Sequence, residues 1–201
     1  MPVMSDRTTK ERILDAAEGL MLEKSFHAVG LNEILKAVKV PKGSFYHHFE
    51  SKEQFGVEML RHYVAESTAY KTRLLLPPNP EPDPLLRLLT YFESIIAKAT
   101  EAQGKCPCLV IKLASEVGTF SEPMRQVLAE GTREWTGVFQ RVLEEGLETG
   151  AVALQTSPSL MAPVILDLWT GAMQRAATTR SVTPLREAIA FLKSVLAPSA
   201  G

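Results

Sequence analysis

Cys106 and Cys108, separated only by Pro107 in the run Gly104-Lys105-Cys106-Pro107-Cys108-Leu109, carry the most evident covalent chemistry of this 201-residue chain. Gly104 reads as the end of one helix and Pro107 suits the first position of the next, which would put Cys106 at the N-cap and Cys108 in the first turn. A thiol there meets the positive end of the helix dipole. Lys105 and Lys112, the latter one turn beyond Cys108, add charge, and together they favour the nucleophilic thiolate. The plainer alternative is that free cysteine is among the most often buried residue types and serves as a small apolar side chain. A Cys106–Cys108 disulfide is geometrically poor across the rigid proline, whereas an intersubunit disulfide, a sulfenic acid or a direct adduct is open to either sulfur. Two thiols with no His or Cys partner at ligand spacing do not form a zinc site, so no metal and no cofactor is expected.

The second signature is noncovalent. In Val40-Pro41-Lys42-Gly43-Ser44-Phe45-Tyr46-His47-His48-Phe49 a short helix carries a lysine, a phenol and two imidazoles. Before it, Leu31, Ile34, Leu35 and Val38 fall on one face of a 3.6-residue period, and Lys39-Val40-Pro41 breaks that helix because proline biases its predecessor towards an extended backbone. Two short helices joined by such a turn form a helix-turn-helix, whose second helix lies in the DNA major groove. Lys42 and Ser44 would face base edges and Gly43 would let the backbone approach. Phe45 and Phe49, four residues apart, would lock the helix in place and leave Tyr46, His47 and Lys52 for phosphate oxygens. The alternative reading is a helical hairpin with an aromatic plug.

The remaining chain supplies elements to position these groups. A first helix is expected from about Thr8 to Glu23 with Ile13, Leu14, Ala17, Leu20 and Met21 as its buried stripe. Ser51 followed by Gln54 reads as a capping box opening a long helix to about Leu76, in which Phe55, Met59, Leu60 and Tyr63 pack backwards. Pro77, Pro78, Pro80, Pro82 and Pro84 then exclude helix and favour an extended surface loop. Further helices are expected near Leu85 to Ala102, Pro107 to Thr119, Glu122 to Thr149, Ser159 to Thr179 and Pro184 to Leu196. No strand pattern or nucleotide fingerprint competes with an all-α fold, with a helix-turn-helix DNA-binding domain at 1–53 and a helical regulatory and dimerisation domain at 54–201.

Composition adds limits. The hydrophobic content of 45% suits a packed globular protein, and the formal net charge of -1 gives no bulk attraction to nucleic acid. Positive charge is instead local, at Lys36, Lys39, Lys42 and Lys52. The N-terminal residues are polar where a signal peptide needs an apolar core, and the longest apolar stretch, Leu160 to Trp169, is too short to span a membrane and contains Asp167. A cytoplasmic protein without membrane contact is expected.

From Thr9 to about Glu58 the chain resembles the TetR family of bacterial transcriptional repressors, on the residues Lys10-Glu11-Arg12-Ile13-Leu14-Asp15-Ala16-Ala17, the middle helix, Gly43 to Phe49 and Ser51-Lys52-Glu53. Ser25 stands where that family usually has glycine, and Val29-Gly30 where it has a hydroxyl residue opening helix 2. Glycine can cap a helix but brings no side-chain oxygen to a phosphate. The form Gly-x-x-x-Cys-Leu-Val-x-Lys-Leu-Ala-x-Glu is similar to the subgroup related to the repressor of N-ethylmaleimide reductase, which senses electrophiles or oxidants through cysteine. The resemblance implies a homodimer on double-stranded operator DNA, with Cys108, directly before Leu-Val, as first sensor and Cys106 second. It also implies a dimer interface from the last two helices, whose apolar faces are Met161, Ile165, Leu168, Trp169 and Ala172, then Ile189, Leu192 and Val195.

A ligand pocket among the central helices would draw on Phe92, Ile96, Leu109, Leu113, Trp135, Phe139 and Trp169, with Glu116, Gln140 or Arg175 as polar groups. It would admit an apolar small molecule in a repressor whose cysteines are passive. The third reading is a thiol-dependent enzyme, against which stands the lack of any dinucleotide motif, nucleophile elbow, metal cluster or paired catalytic carboxylates.

Overall fold

The computed structural model describes residues 7–78, 83–101, 108–117 and 119–198. Among these every regular element is a helix: α1 (Thr9–Glu23), α2 (Leu31–Val38), α3 (Lys42–His48), α4 (Lys52–Leu75), α5 (Pro84–Glu101), α6 (Leu109–Val117), α7 (Glu122–Thr149), α8 (Pro158–Thr179) and α9 (Thr183–Leu196). The all-α expectation holds. Two compact units divide the chain, residues 1–66 with 108–129 and residues 67–107 with 130–201. Gly104, Lys105, Cys106 and Pro107 lie outside the described residues.

In the first unit, α1 starts in a capping box. Thr8 Oγ1 accepts from the Glu11 amide at 3.2 Å and Glu11 Oε2 accepts from the Thr8 amide at 2.7 Å. The Thr8 amide, and after it the Thr8 hydroxyl donating to the same oxygen at 2.8 Å, hold the Glu11 carboxyl below its usual range. Ile13, Leu14, Ala17 and Met21 are buried, while Leu20, expected in the same stripe, stays half-buried. The stripe packs against α2 and α6.

The turn between α2 and α3 is made by a lysine. Lys39 adopts a left-handed conformation (φ 55°) where glycine is common, and its amide together with that of Val40 satisfies carbonyls at the end of α2, the latter on Leu35 at 3.0 Å. Pro41, extended, caps α3. Phe45, Phe49 and Phe55 then close on one another with ring centroids 4.9, 5.2 and 5.1 Å apart, all 1% exposed.

At the start of α4, Ser51 Oγ accepts from the Gln54 amide at 3.0 Å. The return bond goes to the Glu50 amide at 2.9 Å instead of to Ser51, so the box closes one residue early. One turn on, Gly56 faces Phe26 and Met124 so closely that a Cβ would lie 2.7 Å from the Phe26 ring and 2.9 Å from Met124 Cε. Glycine is what lets α4 lie flush there.

In the second unit, α9 packs on α8 and on α5. Phe92 links Trp169 and Phe139, with ring centroids at 4.3 and 5.7 Å. Arg87 is buried, yet its Nε donates to the Leu75 carbonyl at 3.0 Å and its guanidinium pairs with Glu145. A buried charge of this kind is tolerable only with such partners.

One expectation for this unit is corrected. Ile165, Trp169 and Ala172 of α8 and Ile189 and Leu192 of α9, expected as dimer faces, are buried within a single chain, Ile189 at 3% and Leu192 at 1% exposure. Their period identified a buried face but not what buries it. The large apolar side chains these helices leave in solvent are Leu160, Val164 and Phe191.

Candidate nucleic-acid interface and thiol site

The aromatic lock that buries Phe45 turns the other face of α3 outward. Lys42, Gly43, Tyr46 and His47 are exposed and Ser44 is half-buried, so the residues expected to meet DNA share a solvent-facing helix surface. Lys36 and Lys39, also exposed, add positive charge beside it. Lys52 differs: its ammonium lies 3.4 Å from the His27 carbonyl and 5.1 Å from the centroid of the Phe26 ring. With Tyr46, Leu31, Ile34, Phe45 and Phe55 it lines a shallow hollow beside α3. Lys52, though exposed, thus has contacts within the chain, where the sequence left it free for phosphate.

Around the thiol the structure departs from expectation in two ways. Helix α6 begins at Leu109, and the Cys108 carbonyl accepts the first helical bond, from the Lys112 amide at 3.2 Å, so Cys108 is the N-cap residue and not part of the first turn. Lys112 donates to the Leu22 carbonyl at 2.6 Å, closing the end of α1 instead of serving the thiol. Cys108 is not in a disulfide and is half-buried, so the residue is not sealed in the core.

The partner that sequence reasoning missed at the sulfur is Tyr63 of α4. Its hydroxyl accepts from the Leu109 amide at 3.2 Å and is hydrogen-bonded to Cys108. Burial, reinforced by the Cys108 charge and that hydrogen bond, pushes the phenol well above its usual range, so it stays protonated and acts as the donor towards sulfur. Tyr63 had been read only as a packing residue, and no local pattern marks a tyrosine that will meet a helix start 46 positions away.

Further along α6, Glu116 accepts from the amides of Phe26 and His27, both at 3.1 Å. Expected as a pocket group, the carboxylate here satisfies two consecutive backbone donors of the loop after α1. Cys108, Lys112 and Glu116 are spaced at four-residue intervals, so one stripe of α6 touches Tyr63 of α4, the end of α1 and the loop after it.

Elsewhere in this unit Asp15, His62 and Glu66 offer ligand atoms within 4.8 Å of one another. The Arg7 guanidinium lies among them, paired with Asp15 and, at 3.3 Å, with Glu66, so the cluster already contains a cation. Glu18 beside it is raised, by burial first and then by the Glu66 and Asp15 charges.

The proposed pocket residues are divided between the two units. Leu109 and Leu113 belong to the first unit, and Phe92, Ile96, Trp135, Phe139 and Trp169 to the second. Trp135 has its polar handles engaged: Nε1 donates to Thr68 Oγ1 at 3.0 Å and Lys71 Nζ sits 3.8 Å from its ring centroid. Gln140 donates to Glu144 at 2.8 Å and Arg175 pairs with Glu187 at 2.9 Å. Trp169 is 4% exposed, and its Nε1 has no hydrogen-bond partner among the described residues.

Known proteins share this fold. Residues 13–59 match the model for bacterial regulatory proteins of the tetR family, and residues 84–192 the model for a tetracyclin repressor-like C-terminal domain. The chain is 37% identical over 198 residues to the HTH-type transcriptional repressor NemR of Escherichia coli K12, covering 98% of each sequence. To the HTH-type transcriptional repressor DhaR of a Mycobacterium species it is 30% identical over 196 residues, covering 98% of this chain and 96% of the relative. The crystal structure of reduced E. coli NemR superposes with a TM-score of 0.87 at 36% identity, over 96% of this chain and all of that one. None of the described helices is long and apolar enough to cross a membrane.

Proposed function

Because this chain belongs to the TetR family of bacterial regulatory proteins, and is a regulator and not an enzyme, we propose that it is a homodimeric repressor released from its operator when the Cys108 sulfur is modified. In the bound state α3 lies in the major groove, with Lys42, Gly43 and Ser44 towards base edges and Tyr46 and His47 towards phosphates. Two such heads, one per protomer, meet two half-sites. The exposed Leu160, Val164 and Phe191 of α8 and α9 support a partner protomer there, since burial of those side chains is the gain dimerisation offers.

One observation carries the regulatory half of the proposal: the α6 stripe that begins at Cys108 ends on the amides of Phe26 and His27. A bulky or charged group added at the sulfur competes for the space at the start of this stripe. Any shift of α6 is then felt by the loop that joins α1 to α2. Release follows only because the modified form holds DNA less well than the reduced form does.

The test is a mobility-shift titration on DNA from immediately upstream of the protein's own gene, in reductant and after N-ethylmaleimide, for the wild type and Cys108→Ser. Loss of binding in the wild type alone is expected. Release of the Cys108→Ser protein by the same treatment would overturn the assignment of Cys108.

A second reading has its own support in Trp169, whose buried indole N–H lacks an acceptor among the described residues. An apolar ligand carrying a carbonyl would complete it. Under this reading a reversible ligand releases DNA from a protein in which both cysteines are serine.

A further inference from the structure

We infer that Tyr63 is the positioning residue of the Cys108 thiol, holding the sulfur at the start of α6 through its hydroxyl proton and giving up that bond when the sulfur is modified. The inference rests on the proposed role of Cys108 and goes beyond it, because it names the group that sets how fast this cysteine reacts and the helix that first feels the reaction.

The geometry leaves the hydroxyl little choice. Its oxygen accepts from the Leu109 amide, one of the unpaired donors at the start of α6, so its own proton is directed elsewhere, and Cys108 is the neighbour it is bonded to. A phenol that keeps its proton favours negative charge on the sulfur it faces, as any donor does to a charged acceptor. The Leu109 amide, at the positive end of the helix, acts in the same sense through the same oxygen. Lys112, the obvious cation by sequence, is anchored on Leu22 and leaves this task to the tyrosine.

For a maleimide the step balances without further reagents. The Cys108 proton passes to water and the sulfur lone pair forms the C–S bond. The carbon–carbon double-bond electrons move onto the carbonyl as an enolate, and the neighbouring carbon then takes a proton from water. Tyr63 keeps its proton throughout. The product is a thioether, a weak acceptor that also carries the bulk of the succinimide ring. Tyr63 loses a partner, and it stands on α4, the helix whose first turn carries Phe55 of the aromatic lock behind α3.

The experiment uses the full chain with Cys106→Ser, so that one thiol is followed, and compares it with the same protein carrying Tyr63→Phe. The rate of N-ethylmaleimide addition is measured by intact mass across a pH series, folded and in concentrated urea. In the folded protein Tyr63→Phe is expected to slow addition near neutral pH by about three- to tenfold, with equal rates in urea. Equal rates in the folded proteins would overturn the inference.

Should Tyr63→Phe fail to fold, amide exchange on the Cys106→Ser protein decides instead. Alkylation is expected to speed exchange at Leu109 at least tenfold, and unchanged protection there would overturn the inference. Operator release is scored separately: if Cys108→Ser is still released while Tyr63→Phe slows alkylation, the sensor reading fails and the positioning role stands.

Discussion

Lys71 and Trp135 form a buried cation–π pair, with the ammonium 3.8 Å from the centroid of the indole ring and the lysine only 6% exposed. Ser67 Oγ holds the same ammonium at 2.6 Å, one turn back on α4. Lys71→Met keeps the length of the stem and removes the charge. The expected loss is about 1–2 kcal/mol of stability, measured by urea unfolding, with a change in Trp135 emission. A variant as stable as the wild type would show that the charge contributes nothing beyond its stem.

Glu116 makes a different kind of claim on stability, because its two oxygens each accept a backbone amide. Glu116→Gln keeps one acceptor and sets an NH2 against the other donor. A loss of about 1–3 kcal/mol is expected, with faster amide exchange confined to Phe26 and His27. Exchange spread evenly over the unit would mean that the carboxylate does not act on that loop in particular.

Glu18 gives the pH dependence. Its folded carboxyl is raised, chiefly by burial and then by the Glu66 and Asp15 charges. Below the ordinary glutamate range Glu18 is protonated whether the chain is folded or not, so it costs nothing there. As pH rises through the folded value its ionisation favours the unfolded chain. Glu18→Gln is therefore expected to raise the melting temperature at neutral pH and to lose that advantage in acid. A gain independent of pH would exclude titration of this carboxyl as the cause.

On the DNA side Lys42 and Lys52 should separate. Lys42→Ala is expected to change the preference among operator variants, each altered base costing about 1–3 kcal/mol of discrimination at the position read. Lys52→Ala is expected to weaken binding to all sequences alike and lower the salt slope by about 1 if its ammonium leaves the His27 carbonyl for a phosphate in the complex. An unchanged slope would confine Lys52 to its structural place against Phe26.

The helix bounds were legible because their signals are local: α2 and α7 are found at Leu31–Val38 and Glu122–Thr149, as the period and flanking Gly, Pro and Ser predict. Ser51 and Gln54 were legible for the same reason, and so was the Phe45–Phe49 lock. What could not be read was tertiary choice. Periodicity finds an apolar face but not its partner, which is how Ile189 and Leu192 came to be expected at a dimer face while they fill the core of one chain. The environment of Cys108 was misjudged likewise, because sequence neighbours such as Lys112 were its only visible candidates, and Tyr63 reaches it from another helix.

The two tryptophans have an optical consequence. Trp135 and Trp169, the chain's only two, both belong to the second unit and are 3% and 4% exposed. One has its N–H bonded and a cation on its face, the other has neither among the described residues, so their emission should be resolvable. Cys108 and α3 lie in the unit that contains no indole. Emission from either indole therefore reports on the second unit, which holds neither Cys108 nor α3.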